Sequence, residues 1–245
     1  MYQFFIEDSQ ILDNCVTIEG TDFNHLKNVI RMKTGEIFRV SVKSGESYLC
    51  KLTAIEKDQA RGELLSEKSQ ITELSGKIYL FQGLPKGDKM EWIIQKSVEL
   101  GVFEIIPVAM NHCVVKLDER KAEAKVARWQ TIAESAAKQS KRSRIPRIQE
   151  VMNFKEALEY GKNLNVRLVP YENEGGIFSS RQFVQRIKPT DSVGIYIGPE
   201  GGFSEGEITQ AREQMDSISL GKRILRTETA AIAMLSILMF QMEED

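Results

Sequence analysis

The spacing of apolar and polar residues in the first part of the chain is that of short strands. Phe38, Val40 and Val42 alternate with polar residues, and glycine-containing turns separate several runs of this kind. Alternation with a period of two is typical of strands buried on one face, and short strands joined by tight turns predict a small barrel. One helix, with Asp22 as its cap, is predicted within this part over residues 22–32.

After a polar segment at residues 66–77, predicted strands alternate with predicted helices, and we place a domain boundary near Glu73. The two domains are then residues 1–72 and 73–245. Alternating strands and helices predict an α/β domain with a parallel sheet and helices on both faces. The predicted strands are 77–83, 103–109, 165–170, 193–197 and 218–220, and the longer helices are 88–100, 118–141, 204–215 and 229–242. Ligands bind such sheets beyond the carboxyl ends of the strands, where the predicted loops are 169–176, 198–203 and 220–226.

The last predicted helix, residues 229–242, is apolar on nearly every side. Such a helix lies deep in a core or is shared with another subunit. Because an α/β domain already covers both faces of its sheet with helices, the sequence favours a dimer interface.

A glycine-rich turn near the end of the chain has the composition of a ligand cradle. Gly198, Gly201 and Gly202 follow a predicted strand, and glycine lets the backbone approach a ligand closely or adopt positive φ. Ser204 and Glu207 have the spacing of a capping box, so a helix should begin there. Backbone N–H groups at a helix N-terminus after such a turn form an anion-binding or ligand-binding site.

A second turn, Leu220-Gly221-Lys222-Arg223, follows one helix later and leads to Arg226 and a helix cap at Thr227 or Thr229. Two such turns so close in sequence indicate one pocket built by both. Neither turn matches a phosphate-binding loop, which carries a lysine after its glycines, or a dinucleotide fingerprint, which follows the first strand of its domain. The alternative is an ordinary corner between a strand and a helix.

The net charge of −2 argues against an extensive surface that binds nucleic acid. A local basic patch remains compatible with that value. Residues 138–147 carry five cationic side chains and no acid, and we interpret them as a contact with a phosphate backbone. The alternative is a solvated helix end whose cations are favoured by the helix dipole. Lys86 and Lys89 either add to this patch or are simply exposed.

The few cysteines and histidines limit other chemistry. The three cysteines, Cys15, Cys50 and Cys113, are far apart and indicate neither a disulfide framework nor a zinc site. With only His25 and His112, a histidine-rich metal site is excluded. The N-terminus has no pattern of a signal peptide, and no apolar segment reaches the roughly 20 residues that span a bilayer. We therefore expect a cytoplasmic protein with no metal and no membrane partner.

Four polar residues near predicted element ends are candidates for catalysis: Glu99, Glu200, Glu228 and Arg226. Each alone is more often structural. Arg226 is the strongest candidate because it lies between an apolar Ile-Leu pair and a helix cap, where a guanidinium can be held against an anionic or carbonyl group.

Several segments of the chain together carry a specific resemblance. They are Leu84-Pro-Lys-Gly-Asp-Lys-Met90, Gln95-Lys-Ser-Val-Glu-Leu-Gly-Val102, Ser135-Ala-Ala-Lys-Gln-Ser140 with Arg142-Ser-Arg-Ile-Pro146, Ile197-Gly-Pro-Glu-Gly-Gly-Phe-Ser204, Leu220-Gly-Lys-Arg-Ile-Leu-Arg-Thr-Glu-Thr-Ala230 and, in the first part, His25-Leu-x-x-Val-Ile-Arg31. Over nearly the whole chain they resemble the bacterial ribosomal RNA small subunit methyltransferase E family of the SPOUT superfamily. The chain departs from the family at His112, where members often carry arginine, and it begins without the basic residues frequent at the family's N-terminus.

The resemblance implies a PUA-like β-barrel at residues 1–72 and a SPOUT methyltransferase domain with a parallel sheet and a deep trefoil knot at residues 73–245. It implies a homodimer that binds S-adenosylmethionine and methylates N3 of a uridine in 16S ribosomal RNA of the small subunit. The cofactor-binding positions that it implies are Val169, Pro170, Ile197, Gly198, Pro199, Glu200, Gly201, Gly202, Leu220, Gly221, Arg223, Ile224, Leu225, Arg226 and Thr227.

For catalysis, we expect Arg226 to stabilise negative charge on the uracil oxygens and a carboxylate among Glu99, Glu200 and Glu228 to accept the N3 proton. The target base must be unpaired or flipped out, because N3 lies on its Watson–Crick edge. The predicted RNA contacts are His25, Arg31, Lys86, Lys138, Lys141, Arg142, Arg144 and Arg147.

The sequence leaves two alternatives to uridine methylation of 16S ribosomal RNA. One is a non-catalytic RNA-binding factor of ribosome assembly, which would need the basic patch but not the cofactor turns. The other is a SPOUT enzyme that acts on another base or on transfer RNA.

Overall fold

The computed structural model describes residues 1–42, 45–65, 72–171 and 176–244. The chain divides into two compact units, one of Met1–Glu73 with Ala137–Ile145 and one of Leu74–Ala136 with Pro146–Asp245. The first unit thus includes a segment that the predicted boundary assigns to the second domain. Three predicted segments fall partly outside the described residues. These are a turn in the first part of the chain at residues 43–44, the polar segment at residues 66–71 and the loop 169–176 at residues 172–175.

The first unit contains a six-stranded sheet in the order β1-β4-β5-β6-β3-β2, in which β1 and β4 are parallel and the other pairs antiparallel. The alternation in β4 is confirmed, since Phe38, Val40 and Val42 are buried together. Gly62 of β6 has no room for a side chain, because a Cβ there would lie 2.8 Å from the Phe38 ring. The strands are β1 Gln3–Ile6, β2 Ile11–Leu12, β3 Cys15–Glu19, β4 Ile37–Val42, β5 Ser47–Ile55 and β6 Gln59–Leu64.

The predicted helix at 22–32 is present, but its predicted cap is wrong. Helix α1 spans Gly20–Asn24 and continues as a π-helical turn over His25–Ile30. Asp22 lies inside the helix, and its carboxylate accepts a hydrogen bond from the Lys138 ammonium at 3.0 Å. The carboxylate therefore holds the segment 137–145 rather than the helix end.

A buried arginine anchors the segment 137–145 within the first unit. Arg142 is 3% exposed, and its guanidinium forms an ion pair with the Glu73 carboxylate, with Nε 3.2 Å from both oxygens. The same carboxylate accepts a hydrogen bond from the Ser143 backbone N–H at 3.0 Å. The backbone carbonyl of Arg142 accepts a hydrogen bond from the buried Gln3 amide. A buried cation with a bidentate partner of this kind is costly to disrupt.

The second unit contains a seven-stranded sheet in the order β10-β8-β7-β12-β11-β13, with β9 also paired to β8. Every pairing in it is parallel, so the predicted parallel α/β arrangement is confirmed. The strands are β7 Lys77–Gly83, β8 Glu104–Ala109, β9 Arg147–Ile148, β10 Met152–Asn153, β11 Val166–Pro170, β12 Ser192–Ile197 and β13 Asp216–Ile218. The helices are α2 Lys89–Glu99, α3 Glu119–Ser140, α4 Phe154–Tyr160, α5 Ile177–Val184, α6 Glu205–Gln214 and α7 Thr227–Met242.

Two central strands of this sheet are joined by stacked aromatic rings. The rings of Phe81 in β7 and Tyr196 in β12 are parallel, with centroids 4.1 Å apart, and both side chains are fully buried. A Cβ at Gly161 would lie 2.1 Å from the Tyr196 hydroxyl, so glycine is required where α4 ends. This packing fixes the register of the strands whose carboxyl ends carry the site.

Helix α7 buries one face and exposes another. Met234, Leu235 and Leu238 are fully buried, and the helix packs against α2, β7 and β12. On the opposite side Ile237 is 41% and Phe240 85% exposed. The helix is therefore apolar where it faces solvent as well as where it faces the core. No helix among the described residues combines the length and apolarity that crossing a membrane requires.

Candidate active site

A cavity of about 520 Å³ lies where the loops that follow β11, β12 and β13 meet the first turn of α7. Its volume is within the range of small-molecule sites. The wall combines backbone of the two predicted turns with apolar side chains and three cationic ones. It consists of Lys89, Pro170, Tyr171, Ile197, Gly198, Pro199, Glu200, Gly201, Gly202, Phe203, Leu220, Gly221, Arg223, Ile224, Leu225, Arg226, Thr227 and Ala230.

The glycine loop, residues 198–203, is close-packed on one side and open on the other. A Cβ at Gly83, at the end of β7, would lie 2.6 Å from the Pro199 backbone nitrogen, so only glycine permits this approach. Gly202 has φ +68°, and no atom would contact a Cβ placed there. The backbone at Gly202 is thus open to the close approach of a ligand, while its N–H donates to the Pro199 carbonyl at 2.9 Å within the loop.

The loop between β8 and α3 holds the glycine loop from outside. The Nδ1 of His112 lies 2.9 Å from the Gly201 carbonyl oxygen, and because a carbonyl only accepts, this ring nitrogen carries the proton. The Asn111 side chain donates to the Ser204 hydroxyl at 2.9 Å, and its backbone N–H donates to the Glu207 carboxylate at 2.8 Å. The predicted capping box of Ser204 and Glu207 is confirmed at the start of α6. Position 112, where the family pattern often has arginine, is therefore a structural contact of the loop.

A threonine joins the start of α7 to the glycine loop. The Thr227 hydroxyl donates to the Gly198 carbonyl at 2.7 Å and accepts a hydrogen bond from the Gln82 amide at 2.9 Å. Gln82 is fully buried in β7. The two turns that the sequence predicts to share one pocket are thus connected by a buried hydrogen-bond chain.

An ammonium group on α2 contacts two of the predicted catalytic carboxylates. Lys89 Nζ lies 2.8 Å from Glu200 Oε1 and 3.4 Å from Glu228 Oε2. Glu200 also accepts a hydrogen bond from the Lys86 backbone N–H at 3.1 Å. Partial burial would raise the pKa of Glu200, but the hydrogen bonds from Lys89 and from backbone N–H groups lower it below its usual value. Glu200 is therefore ionised at neutral pH.

The third carboxylate, Glu99, lies elsewhere. It is in the last turn of α2, where it accepts hydrogen bonds from Lys96 at 2.8 and 3.0 Å, and it is not part of the cavity wall. Lys89 and Glu99 are ten residues apart on one helix, which is about 15 Å. The structure thus brings Glu200 and Glu228 together and leaves Glu99 apart.

Arg226 precedes the first turn of α7 and lies in the cavity wall. Its side chain is exposed and forms no ion pair within the described parts of the chain. A guanidinium here can meet an anionic or carbonyl group that enters from solvent.

All the predicted cofactor-binding positions except Val169 lie in the cavity wall. Val169 is fully buried in β11, next to Pro170, and does not line the cavity. The wall also contains Lys89, Tyr171, Phe203 and Ala230, which the sequence did not single out for this role. Phe203 ends the glycine loop. The helix cap predicted at Thr227 or Thr229 lies at Arg226 instead. Ala230 is about one helical turn after Arg226, so helical spacing from Arg226 was the signal that would have found it.

The predicted RNA-binding residues separate into different environments. Arg142 is buried against Glu73, and we no longer assign it to an RNA surface. Lys138 pairs with Asp22, and its side chain is 23% exposed. Exposed positions in the first unit are His25, Arg31, Lys141 and Arg144, and in the second unit Lys86 and Arg147. Among the residues that the structure describes, no cluster of three or more histidine, cysteine or acidic residues could hold a metal ion.

Comparison with known proteins places the chain among RNA-modifying enzymes. A family model described as an RNA methyltransferase domain matches residues 72–239, and one described as an RNA methyltransferase PUA domain matches residues 18–65. The ribosomal RNA small subunit methyltransferase E of Bacillus subtilis is 38% identical over 251 residues, which cover 99% of this chain and 98% of that protein.

Two solved structures share the fold. A ribosomal RNA small subunit methyltransferase E from Neisseria gonorrhoeae bound to S-adenosyl methionine is 34% identical, with a TM-score of 0.81 over 96% of both chains. A Legionella pneumophila protein, described as a methyltransferase in complex with bound cofactor SAM, is 29% identical, with a TM-score of 0.83 over 97% of this chain and 96% of that one. The predicted fold class, a SPOUT α/β domain with a PUA-like unit, is confirmed. The chain belongs to the ribosomal RNA small subunit methyltransferase E family.

Proposed function

We propose that this protein transfers a methyl group from S-adenosylmethionine to N3 of a uridine in 16S ribosomal RNA of the small subunit. The observation that carries the proposal is the cavity between the glycine loop and the turn at 220–227, whose wall holds bare backbone, Glu200 and Arg226. Relatives that cover nearly the whole chain are named for ribosomal RNA small subunit methylation, and one was crystallised with S-adenosyl methionine.

The wall fits the chemical groups of that cofactor. Apolar side chains such as Ile197, Leu220 and Leu225 suit the adenine ring. The open backbone at Gly202 and Gly221, both with positive φ, lets the cofactor approach the two turns closely, and their N–H groups hold the turns by donating to the Pro199 carbonyl at 2.9 Å and to the Ser219 hydroxyl at 3.2 Å. When bound, the cofactor supplies an electrophilic methyl group on a sulfonium. The residues around it hold it and the acceptor at reacting distance, which accounts for much of the rate enhancement.

Arg226 and Glu200 have complementary roles in this proposal. The N3 of uridine carries a proton that must leave, and the negative charge then spreads over the uracil oxygens. Arg226 stabilises that charge from the cavity wall. Glu200 accepts the proton: its Oε1 takes the Lys89 and Lys86 donors, while its Oε2 lies 3.4 Å from the Lys86 N–H and is the less closely engaged oxygen. Its lowered pKa keeps it in the basic form.

The RNA is held through exposed cations, which occur in both units. In the first unit His25, Arg31, Lys141 and Arg144 are exposed. We assign residues 1–72 together with 137–145 to RNA binding and the remainder to methyl transfer. Phosphate contacts by such residues fix the position of the RNA, and the flipped base enters the cavity.

We also propose a homodimer, a deep trefoil knot and a cytoplasmic location. The dimer is supported by the exposed apolar residues on the packed pair α2 and α7, where Trp92 is 46% and Phe240 85% exposed. An apolar helix face of this kind is typical of subunit interfaces. The knot is supported by the convergence of the loops after β11, β12 and β13 on one cavity. The cytoplasmic location is inferred from the proposed substrate, which is ribosomal RNA.

The test compares 16S ribosomal RNA from a deletion strain that carries wild-type protein or Arg226→Ala. We expect mass spectrometry to show 3-methyluridine only with the wild type, and calorimetry to show that Arg226→Ala still binds S-adenosylmethionine. Arg186→Ala, an exposed arginine outside the cavity wall, is the matched control and should restore the modification.

Three other outcomes would redirect the proposal. Unmethylated RNA in the complemented strain, with cofactor binding intact, would favour another base or transfer RNA as the substrate. A wild-type protein without cofactor affinity would favour the RNA-binding assembly factor. Normal turnover by Arg226→Ala would remove that residue from the mechanism.

A further inference from the structure

The contacts of Lys89 cross three segments that are far apart in sequence. Lys89 is the first residue of α2. Its closest partner, Glu200, belongs to the glycine loop, and its second partner, Glu228, lies in the first turn of α7. Both partners are more than a hundred residues away along the chain. The side chain also forms part of the cavity wall. One ammonium group thus contacts both the glycine loop and the first turn of α7.

We propose that Lys89 is a positioning residue that holds the glycine loop and the start of α7 in the arrangement that binds the methyl donor and presents Glu200. The proposal rests on the proposed function and adds a role that the cavity wall alone does not assign. The role is distinct from that of Arg226, which faces the substrate.

The charge balance around Lys89 supports this role. Two carboxylates share one ammonium, and the Oε2 of Glu228 is buried with no hydrogen-bond partner, so the ion pair with Lys89 at 3.4 Å is its compensation in the described residues. Without Lys89, Glu228 would lose this compensation, and Glu200 would keep its hydrogen bond from the Lys86 backbone N–H. Both carboxylates lie within 3.4 Å of the same ammonium, so in its absence their like charges would repel and the segments that carry them would move apart.

A second connection makes the expected effect graded rather than absolute. The Gln82–Thr227–Gly198 chain also joins the glycine loop to the start of α7, in this case from strand β7 and through neutral hydrogen bonds. That chain is buried and independent of charge. Removal of Lys89 should therefore loosen the loop without unfolding the unit.

Helix α2 supplies a closely matched control. Lys96 Nζ lies 2.8 Å from Glu99 Oε1, the same distance as between Lys89 and Glu200, and the side-chain exposures of the two pairs are similar, at 35% and 31% against 33% and 27%. The Lys96 pair is local to one helix, whereas the Lys89 pair joins distant segments. Lys89→Met and Lys96→Met therefore remove the same chemical group in two different structural contexts.

The experiment measures S-adenosylmethionine affinity by calorimetry and methyl transfer to small-subunit RNA as a function of pH. For Lys89→Met we expect affinity to fall about ten-fold, beyond the range of an ordinary surface ion pair. The acidic limb of the rate profile should shift to higher pH, because Glu200 loses the neighbour that lowers its pKa. Lys89→Arg keeps the charge and should stay within about three-fold of wild type. Lys96→Met should leave both measurements unchanged.

A double variant tests the charge argument directly and guards against misfolding. In Lys89→Met/Glu228→Gln the repulsion between the carboxylates is absent, so part of the lost affinity should return. Equal effects of Lys89→Met and Lys96→Met, or an unmoved acidic limb in a folded Lys89→Met protein, would overturn the inference. A wild-type protein that binds no S-adenosylmethionine would instead overturn the proposed function, so the two failures are distinguishable.

Discussion

The Nδ1 of His112 and the carbonyl oxygen of Gly201 lie 2.9 Å apart, and a Cβ at Gly201 would lie 2.8 Å from the Cβ of His112. The loop after β8 is thus in contact with the glycine loop through both a hydrogen bond and a steric limit. Glycine is required at residue 201 by the neighbour, rather than by its own φ angle.

We expect Gly201→Ala to push the glycine loop away from His112 and to weaken S-adenosylmethionine binding at least ten-fold. Gly206→Ala is the control: Gly206 lies in α6, and no atom lies within 4 Å of a Cβ placed there. That change should leave binding intact and raise the free energy of unfolding by about 0.5–1 kcal/mol, since alanine is the better helix former. Calorimetry and thermal unfolding measure the two effects. Equal cofactor affinity in both variants would contradict the steric argument.

Alanine substitution should have different effects at Arg142 and Arg144, which are two residues apart in the basic segment. Arg142→Ala leaves the Glu73 carboxylate without its buried partner, and we expect the free energy of unfolding to fall by roughly 3–5 kcal/mol. Arg144 is exposed, so Arg144→Ala should keep the stability within about 0.5 kcal/mol and reduce the salt dependence of RNA binding. Denaturant unfolding and RNA titrations at several salt concentrations separate the two. An unchanged salt slope in Arg144→Ala would return this position to the solvated-surface interpretation.

Phe240→Glu should convert the proposed dimer to a monomer, because the substitution places a charge in the apolar face of α7. Light scattering after size exclusion measures the mass. Phe178→Glu is the control, since Phe178 is 69% exposed but lies on α5. A protein with Phe240→Glu that remains dimeric would place the interface elsewhere.

The cysteines should differ in thiol reactivity. Cys15 is partly exposed, whereas Cys50 and Cys113 are buried. We expect a thiol reagent at pH 8 to label one cysteine quickly and the other two only on unfolding. Rapid labelling of Cys50 in the folded protein would contradict its burial.

Burial of Cys50 should also make stability depend on pH. Desolvation raises the pKa of the Cys50 thiol from 9.0 to about 12, so the folded state holds a proton that the unfolded state loses. This contribution is complete below pH 9 and is lost as the pH rises toward 12, at up to about 1.4 kcal/mol per pH unit. The fall in the free energy of unfolding over this range should be shallower in Cys50→Ala than in wild type.

Local signals in the sequence were sufficient for most elements and for both cavity turns. The capping box at Ser204 and Glu207 and the alternation in β4 depend on neighbours within a few residues, so they could be predicted. The helix cap predicted at Asp22 was wrong because the helix begins at Gly20, and the Asp22 carboxylate instead binds a lysine 116 residues away.

What the sequence determined by itself was the order of strands and helices, the place of the two glycine turns and the family resemblance, all of which are encoded by periodicity or by short motifs. The tertiary structure decided which charged groups are buried, which are exposed and which lie at the cavity. It buried Arg142 against Glu73, left Arg144 exposed, separated Glu99 from the cavity and set Lys89 between Glu200 and Glu228. The physical reason is that the burial of a side chain and the identity of its ionic partner depend on segments distant along the chain, which meet only when the sheet and its loops are formed.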